Sequence, residues 1–182
     1  MTAREPFAAV SLAAPEWRER NLAHLQAHAG RIQLLVARRI AWLRTRWAHD
    51  PLKSYGTAVV SDQAVDALLS AGDADAEAAF YATDAGAKAL TRELAAADDV
   101  IAALERAMED AGTWPTLTAL VRTFGLTPFE RDAVALCVAP ELDPDLETLY
   151  AYVQDDAAKR YPTPALAAAL FGMPTALATA AF

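Results

Sequence analysis

Three prolines in the last part of the chain mark the starts of helices. Thr127, Asp143 and Thr163 each stand directly before a proline. Their side-chain oxygens can accept a hydrogen bond from a free amide of the first turn, and proline fits the first helical position because it has no amide hydrogen to satisfy. Glu130 completes a capping box with Thr127. We therefore predict short helices joined by tight turns, and interpret residues 113–182 as a winged-helix-like module.

A long apolar stripe lies near the N-terminus. Apolar side chains recur there every three or four residues, which is the spacing of one helix face. They are Leu22, Leu25, Ala29, Ile32, Val36, Ile40, Leu43 and Trp47. The stripe predicts one helix over residues 16–47, about 50 Å long at 1.5 Å per residue. Such a helix either packs along its own domain or forms a seam with a second copy of the chain.

The residues around these two features complete an all-α prediction. We expect a flexible leader over residues 1–15 and a helical region over residues 16–112. Its further elements are a short strand over 55–60, a short helix over 62–69, a mobile acidic loop over 72–77 and a helix from 84 or 86 to 111. Abundant alanine and only seven glycines favour helices. The predicted fold is mainly helical, a long N-terminal helix plus a helical bundle, with a winged-helix-like C-terminal half and at most short strands.

The C-terminal module contains the pattern of a helix-turn-helix. Gly125 separates one apolar helix from a second over residues 128–139, and a third is expected over residues 144–156. The second helix is apolar on most sides. We therefore expect two of its side chains, Phe129 and Cys137, to lie in the core.

A helix-turn-helix suggests DNA binding, but the charges argue against it. DNA binding needs several lysine or arginine contacts to phosphates. The third predicted helix has no basic residue before Lys159. Its acidic residues are Asp145, Glu147, Asp155 and Asp156. We therefore expect this module to have no nucleic-acid partner.

Basic charge is concentrated in the long helix. Residues 16–47 hold seven arginines and two glutamates, a net charge of +5, whereas the remaining residues carry a net −13. A basic helix beside an acidic body can pair with that body or face an acidic partner. The candidate partner-binding residues are Arg31, Arg38, Arg39, Arg44 and Arg46. We expect a protein partner, or a second copy in a homo-oligomer.

The sequence lacks familiar catalytic and cofactor-binding motifs. It has no phosphate-binding Gly-x-x-x-x-Gly-Lys-Ser/Thr loop, no Gly-x-Gly-x-x-Gly and no Gly-x-Ser-x-Gly elbow. His24 and His28 have the spacing of helical zinc ligands, but no third ligand is evident, so we interpret them as two histidines on a helix surface. No catalytic, cofactor-binding or metal-binding residue is predicted, and this chain is not expected to be an enzyme.

The cysteine count and the hydropathy of the chain indicate its cellular compartment. The single cysteine excludes an internal disulfide framework and fits a reducing compartment. No signal peptide is evident, and no window reaches the 18 or so apolar residues of a membrane span. We expect a cytoplasmic protein without a membrane span.

Several segments together resemble a known family. They are residues 124–132 (FGLTPFERD), 139–143 (APELD), 149–152 (LYAY), 154–156 (QDD) and 161–166 (YPTPAL). The block is similar to the N-terminal region of AAA+ ATPases encoded alongside contractile, phage-tail-like injection systems in bacteria. Residues 21–25 (NLAHL) and 60–68 (VSDQAVDAL) also resemble that family's head region. The resemblance covers most of residues 20–171.

The resemblance implies a variant winged-helix domain that precedes an ATPase domain. That ATPase domain is absent from this chain, so ATP and magnesium are expected only for a longer parent protein, of which we expect this to be the N-terminal part. Such domains recognise substrates or adaptors, or order the ring, so the implied partners are injection-system components or the ATPase ring. The alternatives are a stand-alone winged-helix DNA-binding regulator and a structural module that oligomerises through residues 22–47.

Overall fold

The computed structural model describes residues 15–48 and 73–172. Within these ranges 83% of the residues are helical and none lies in a strand, which confirms the mainly helical prediction. The helices are α1 (Pro15–Trp47), α2 (Asp73–Thr83), α3 (Ala85–Asp110), α4 (Thr116–Phe124), α5 (Pro128–Leu142), α6 (Asp145–Val153) and α7 (Pro164–Phe171). The predicted elements at 55–60 and 62–69 lie outside the described residues, as does the predicted leader apart from Pro15.

Helix α1 packs chiefly along α3, in an antiparallel arrangement with a heptad register. Polar contacts between the two helices recur every seven residues, moving forward along α1 and backward along α3. The pairs are Arg38–Thr91, Arg31–Asp98 and His24–Glu105. We call these three pairs the heptad seam. A seven-residue repeat keeps the same two helix faces in contact, as in a coiled coil.

The hydrophobic core lies between α1 and the C-terminal helices. Its buried side chains are Ala29, Ile32, Leu35, Val36, Ile40, Leu94, Phe129, Leu136, Ala139, Leu146, Tyr150, Leu166, Ala167, Ala168 and Leu170. Phe129 is buried as predicted, and its ring packs edge-to-face on Phe171 with centroids 6.0 Å apart. The core draws on both sides of residue 112, and the division into regions 16–112 and 113–182 stays a prediction.

Two of the three helix starts follow the capping chemistry predicted from the sequence. Thr127 and Glu130 form the capping box at the start of α5, where the Thr127 amide donates to Glu130 Oε2 over 2.7 Å. The Thr163 hydroxyl accepts from the Leu166 amide at the start of α7. The predicted start of α6 is wrong, because the helix begins at Asp145 with Pro144 as its N-cap. Asp143 lies one residue before that cap and accepts from the Asp145 amide over 3.2 Å.

Helix α5 is longer than predicted, continuing past 139 to Leu142 with Pro140 inside its last turns. Proline has no amide hydrogen, so it cannot bond the carbonyl four residues earlier. That carbonyl belongs to Leu136, and it accepts instead from the Tyr150 hydroxyl of α6 over 2.9 Å. The fully buried Tyr150 side chain therefore supplies the hydrogen bond that Pro140 removes.

The prediction of a mobile loop over residues 72–77 is wrong where the structure describes it, because residues 73–77 form the first turns of α2. The segment is rich in alanine, the strongest helix former. Glu77 also forms an ion pair with Arg39 of α1 and accepts a hydrogen bond from Tyr81, one turn further on. These contacts fix the segment as a helix against its neighbours.

Candidate functional site

The candidate arginine Arg31 faces the interior rather than solvent. Its Nε donates to Asp98 Oδ1 of α3 over 2.6 Å, and a terminal nitrogen lies 3.2 Å from Asp132 Oδ2 of α5. The Arg31 side chain is only 16% exposed and that of Asp132 9%. Arg31 therefore joins three helices through charge-assisted hydrogen bonds.

Arg38 and Arg39 line a groove of about 430 Å³ together with Arg31. The Arg38 guanidinium lies 4.5 Å from the centroid of the Tyr81 ring, a cation–π distance. Arg39 forms an ion pair with Glu77. The structure thus brings three of the five candidate arginines to one groove, in which acidic residues already offset much of their charge.

The other two candidates lie near the C-terminal end of α1. Arg44 is exposed, and its guanidinium lies 5.9 Å from the Tyr152 ring centroid. Arg46 is half-buried. Neither lines the groove that holds the other three. A partner-binding role for any of the five arginines stays a prediction.

The helix that follows the turn presents a mainly apolar and acidic surface. We call it the outer face of α5, formed by Glu130, Val134, Cys137, Val138 and Glu141. These residues are half-buried or exposed, and their three- and four-residue spacing places them on one side of the helix. Phe124, the last residue of α4, is also exposed, with 69% of its surface accessible.

Cys137 is on this surface, so the prediction that it lies in the core is wrong. The second helix buries the opposite side, where Phe129, Ala133 and Leu136 enter the core. Partial desolvation raises the pKa of the Cys137 thiol above its usual range. A raised thiol pKa leaves little thiolate at neutral pH, so Cys137 does not resemble an activated nucleophile.

Few cations accompany this surface. Residues 116–171 hold four basic and eight acidic side chains. Arg131, the one basic residue of α5, is held by Asp132 over 2.8 Å. Arg122 pairs with Glu109, and Lys159 with Asp156. A surface of this kind repels a phosphate backbone.

The two histidines of α1 are buried, so the expectation of a surface pair is wrong. His24 is 0% and His28 3% exposed, and their rings meet edge-on with centroids 4.6 Å apart. Glu105 of α3 lies beside them, with Oε1 3.3 Å from His24 Nε2. One ligand atom from each of the three residues lies within 4.8 Å of the others. We call these three residues the histidine cluster.

Burial and hydrogen bonding determine the protonation states of His28 and Glu105 in the histidine cluster. Burial is the main reason why the pKa of His28 falls from its usual 6.5 to about 3, so this imidazole is neutral at pH 7. The hydrogen bond with His24 lowers the pKa of Glu105, although partial burial opposes the change. The Thr118 hydroxyl also donates to Glu105 Oε1, over 2.9 Å. The cluster therefore combines a neutral imidazole with an ionised carboxylate.

Comparison with known proteins identifies one family. The model of the family described as "Winged helix domain, variant" matches residues 18–179, most of the chain. No curated protein and no solved structure matches. Among the described helices, none combines the length and apolar character needed to cross a membrane.

Proposed function

The chain belongs to the variant winged helix domain family, and from this premise we propose that it is a non-catalytic domain that recognises protein partners or orders an assembly. The outer face of α5 carries the proposal. In a helix-turn-helix the second helix is the one that enters the major groove of DNA. Here that helix presents valines and a cysteine between two glutamates, a surface suited to another protein.

The finer assignment is the N-terminal domain of an AAA+ ATPase linked to a contractile injection system. It rests on the resemblance of residues 124–166 and is independent of the α5 surface. In this proposal ATP hydrolysis belongs to the parent protein. The domain's own task is to contact injection-system components or the ATPase ring.

The oligomerisation alternative has less support from the packing of α1. Its apolar stripe is largely occupied within the domain, since Ile32, Val36 and Ile40 are all buried in the core. A coiled-coil seam between two copies would need the same side chains. Leu22 is the member of the stripe that stands out as exposed.

A photo-crosslinking experiment tests protein recognition at the outer face of α5. A photoreactive phenylalanine replaces Val134 in one variant and Ala103, an exposed residue of α3, in the matched control. We expect a discrete protein adduct from position 134 and none from position 103. Equal adducts from both positions, or none from 134, would contradict the proposal.

A fluorescence-anisotropy titration with duplex DNA tests the regulator alternative. We expect a dissociation constant no tighter than about 10⁻⁴ M at physiological salt, the weak end of non-specific binding. Salt-dependent binding several hundred times tighter would instead favour a DNA-binding regulator.

The ATPase link has a separate test in the genomic reading frame beyond Phe182. A phosphate-loop lysine motif in that frame would support the finer assignment. A stop codon directly after Phe182 would remove it and leave the protein-recognition proposal in place.

A further inference from the structure

The histidine cluster has hydrogen-bonding capacity that the described residues leave unused. His24 Nδ1 and His28 Nε2 are both buried, and neither has a hydrogen-bond partner among residues 15–48 and 73–172. A buried polar atom left unsatisfied is destabilising, and native proteins contain few of them. Of these two atoms, His28 Nε2 is the one available to an ion held by Glu105, because His24 faces Glu105 with its other ring nitrogen, Nε2.

We infer that the histidine cluster is a structural zinc site that ties α1 to α3. His24 and His28 lie one turn apart on one face of α1, and Glu105 reaches them from α3. Two imidazoles and a carboxylate supply three of the four ligands of a tetrahedral zinc ion, and a water molecule would supply the fourth. The ligands come from two helices, so a bound ion would join segments that are about 80 residues apart in sequence.

The distances within the cluster suit a tetrahedral ion after a small adjustment. Bonds of 2.0–2.2 Å place neighbouring ligand atoms of a tetrahedral zinc ion about 3.3 Å apart. His24 Nε2 and Glu105 Oε1 already have this separation, 3.3 Å. The widest separation in the cluster is at most 4.8 Å, so closing it needs about 1.5 Å of side-chain movement.

The surroundings of the cluster favour a structural role over a catalytic one. The imidazoles are shielded from solvent, whereas the Glu105 side chain is 32% exposed and forms the outer edge. A catalytic zinc needs a coordination position that a substrate can reach. Thr118 of α4 holds the carboxylate by its hydroxyl, the type of outer contact that orients a ligand and tunes affinity.

Zinc titration of the metal-free protein tests the site. The full chain is stripped with EDTA, dialysed and titrated with ZnCl₂ in a calorimeter, and cobalt(II) absorption reports the coordination geometry. We expect one zinc ion per chain, a higher unfolding temperature with zinc, and the visible absorption of tetrahedral cobalt. No zinc binding at micromolar protein would overturn the inference.

Two pairs of variants locate the ion. Glu105→Gln is compared with Glu109→Gln, which alters an exposed carboxylate one turn away that pairs with Arg122. His28→Leu is compared with His49→Gln, which alters the chain's third histidine. Glu105→Gln and His28→Leu should each weaken zinc binding at least tenfold, and the controls should not.

Circular dichroism confirms that each variant is folded before it is titrated. Zinc binding that survives both Glu105→Gln and His28→Leu would place the ion elsewhere and refute the assignment. Loss of binding in either control variant would refute it as well.

Discussion

Two consecutive pairs of the heptad seam, Arg31–Asp98 and His24–Glu105, differ in how fully their polar side chains are hydrogen-bonded. We call them the Arg31 step and the histidine step. At one step Arg31 is held between the carboxylates of Asp98 and Asp132. Seven residues earlier, His24 and His28 lie beside the Glu105 carboxylate, and each ring has one buried nitrogen for which the described part of the chain offers no hydrogen-bond partner. Both steps lie between the same two helices.

The difference is in hydrogen bonding. The Arg31 contact pairs its charges, whereas the histidine contact leaves buried nitrogen atoms without a hydrogen bond from the described residues. Removing one partner of a satisfied buried ion pair leaves the other charge stranded, which is strongly destabilising. Removing a buried group that makes no hydrogen bond lowers the free energy of unfolding much less. The Arg31 step is therefore expected to stabilise the fold, and the histidine step to leave room for a ligand.

The largest effect is expected for Arg31→Leu. This change leaves Arg131 as the one cation that the described residues place beside the buried Asp132 carboxylate. Because Arg31 is partly exposed, we expect a loss of about 2–3 kcal/mol, somewhat below the range for fully buried pairs. Urea unfolding followed by circular dichroism measures it. Lys159→Leu, which removes an exposed ion pair, is the control and should lose no more than about 0.5 kcal/mol. Equal losses in the two variants would remove the distinction.

The next effect is a pH dependence that belongs to the histidine step. The pKa of His28 is about 3 in the folded protein and 6.5 in the unfolded chain, so the unfolded state binds the proton first. His24, Arg131 and Arg31 oppose the His28 charge, whereas Glu105 favours it. Stability should fall as pH drops below about 6.5, by about 1–2 kcal/mol at pH 5.

Urea unfolding in EDTA at pH 7 and pH 5 measures this loss. The same comparison in His28→Leu should show a smaller loss, because that variant cannot take up the proton. A loss of the same size in both proteins would assign the pH dependence to other groups.

A smaller effect tests whether the two steps share one unbroken helix. Gly30 lies between His28 and Arg31, and beyond its own helix turn an added Cβ would meet no atom of the described residues within 4 Å. Gly30→Ala should raise the free energy of unfolding by about 0.5–1 kcal/mol through helix propensity. Gly125 also has space, but its φ of +65° is unfavourable for alanine, so Gly125→Ala should lower it. A loss in Gly30→Ala would indicate that α1 needs a hinge there.

The smallest effect is expected for His28→Leu without metal. Leucine has a comparable size and removes an unsatisfied nitrogen, so the free energy of unfolding should stay within about 0.5 kcal/mol of the parent. Thermal and urea unfolding in EDTA both report it. A loss as large as that of Arg31→Leu would mean that His28 has a hydrogen-bonding role within the fold.

Local chemistry could be predicted from the sequence, and contacts between distant segments could not. The capping box of Thr127 and Glu130 lies within four residues, so its pattern is visible in the chain itself. Glu105 was missed as a partner of the histidines because only the register of two packed helices brings it to them. The same reason explains α2, in which Glu77 meets Arg39 of α1.

Helix α1, which carries the arginines, also shows that contacts between distant segments could not be predicted from the sequence. Its charge surplus over the rest of the chain was visible in the sequence, but the partners that Arg31 and Arg39 find on α2, α3 and α5 were not. Cys137 was assigned to the core because its neighbours are apolar, whereas the helix buries the opposite side. Composition indicates the class of fold, and only packing decides which side of a helix meets solvent.

The hydrogen bond that Tyr150 supplies in place of Pro140 has a consequence for folding. Helix α5 cannot complete its own ladder of backbone hydrogen bonds, because the Leu136 carbonyl has its partner on the next helix. The end of α5 and the docking of α6 are thus expected to form in one cooperative step. An isolated peptide spanning α5 alone would fray at its C-terminal end, and hydrogen exchange in the intact domain should report the two helices opening together.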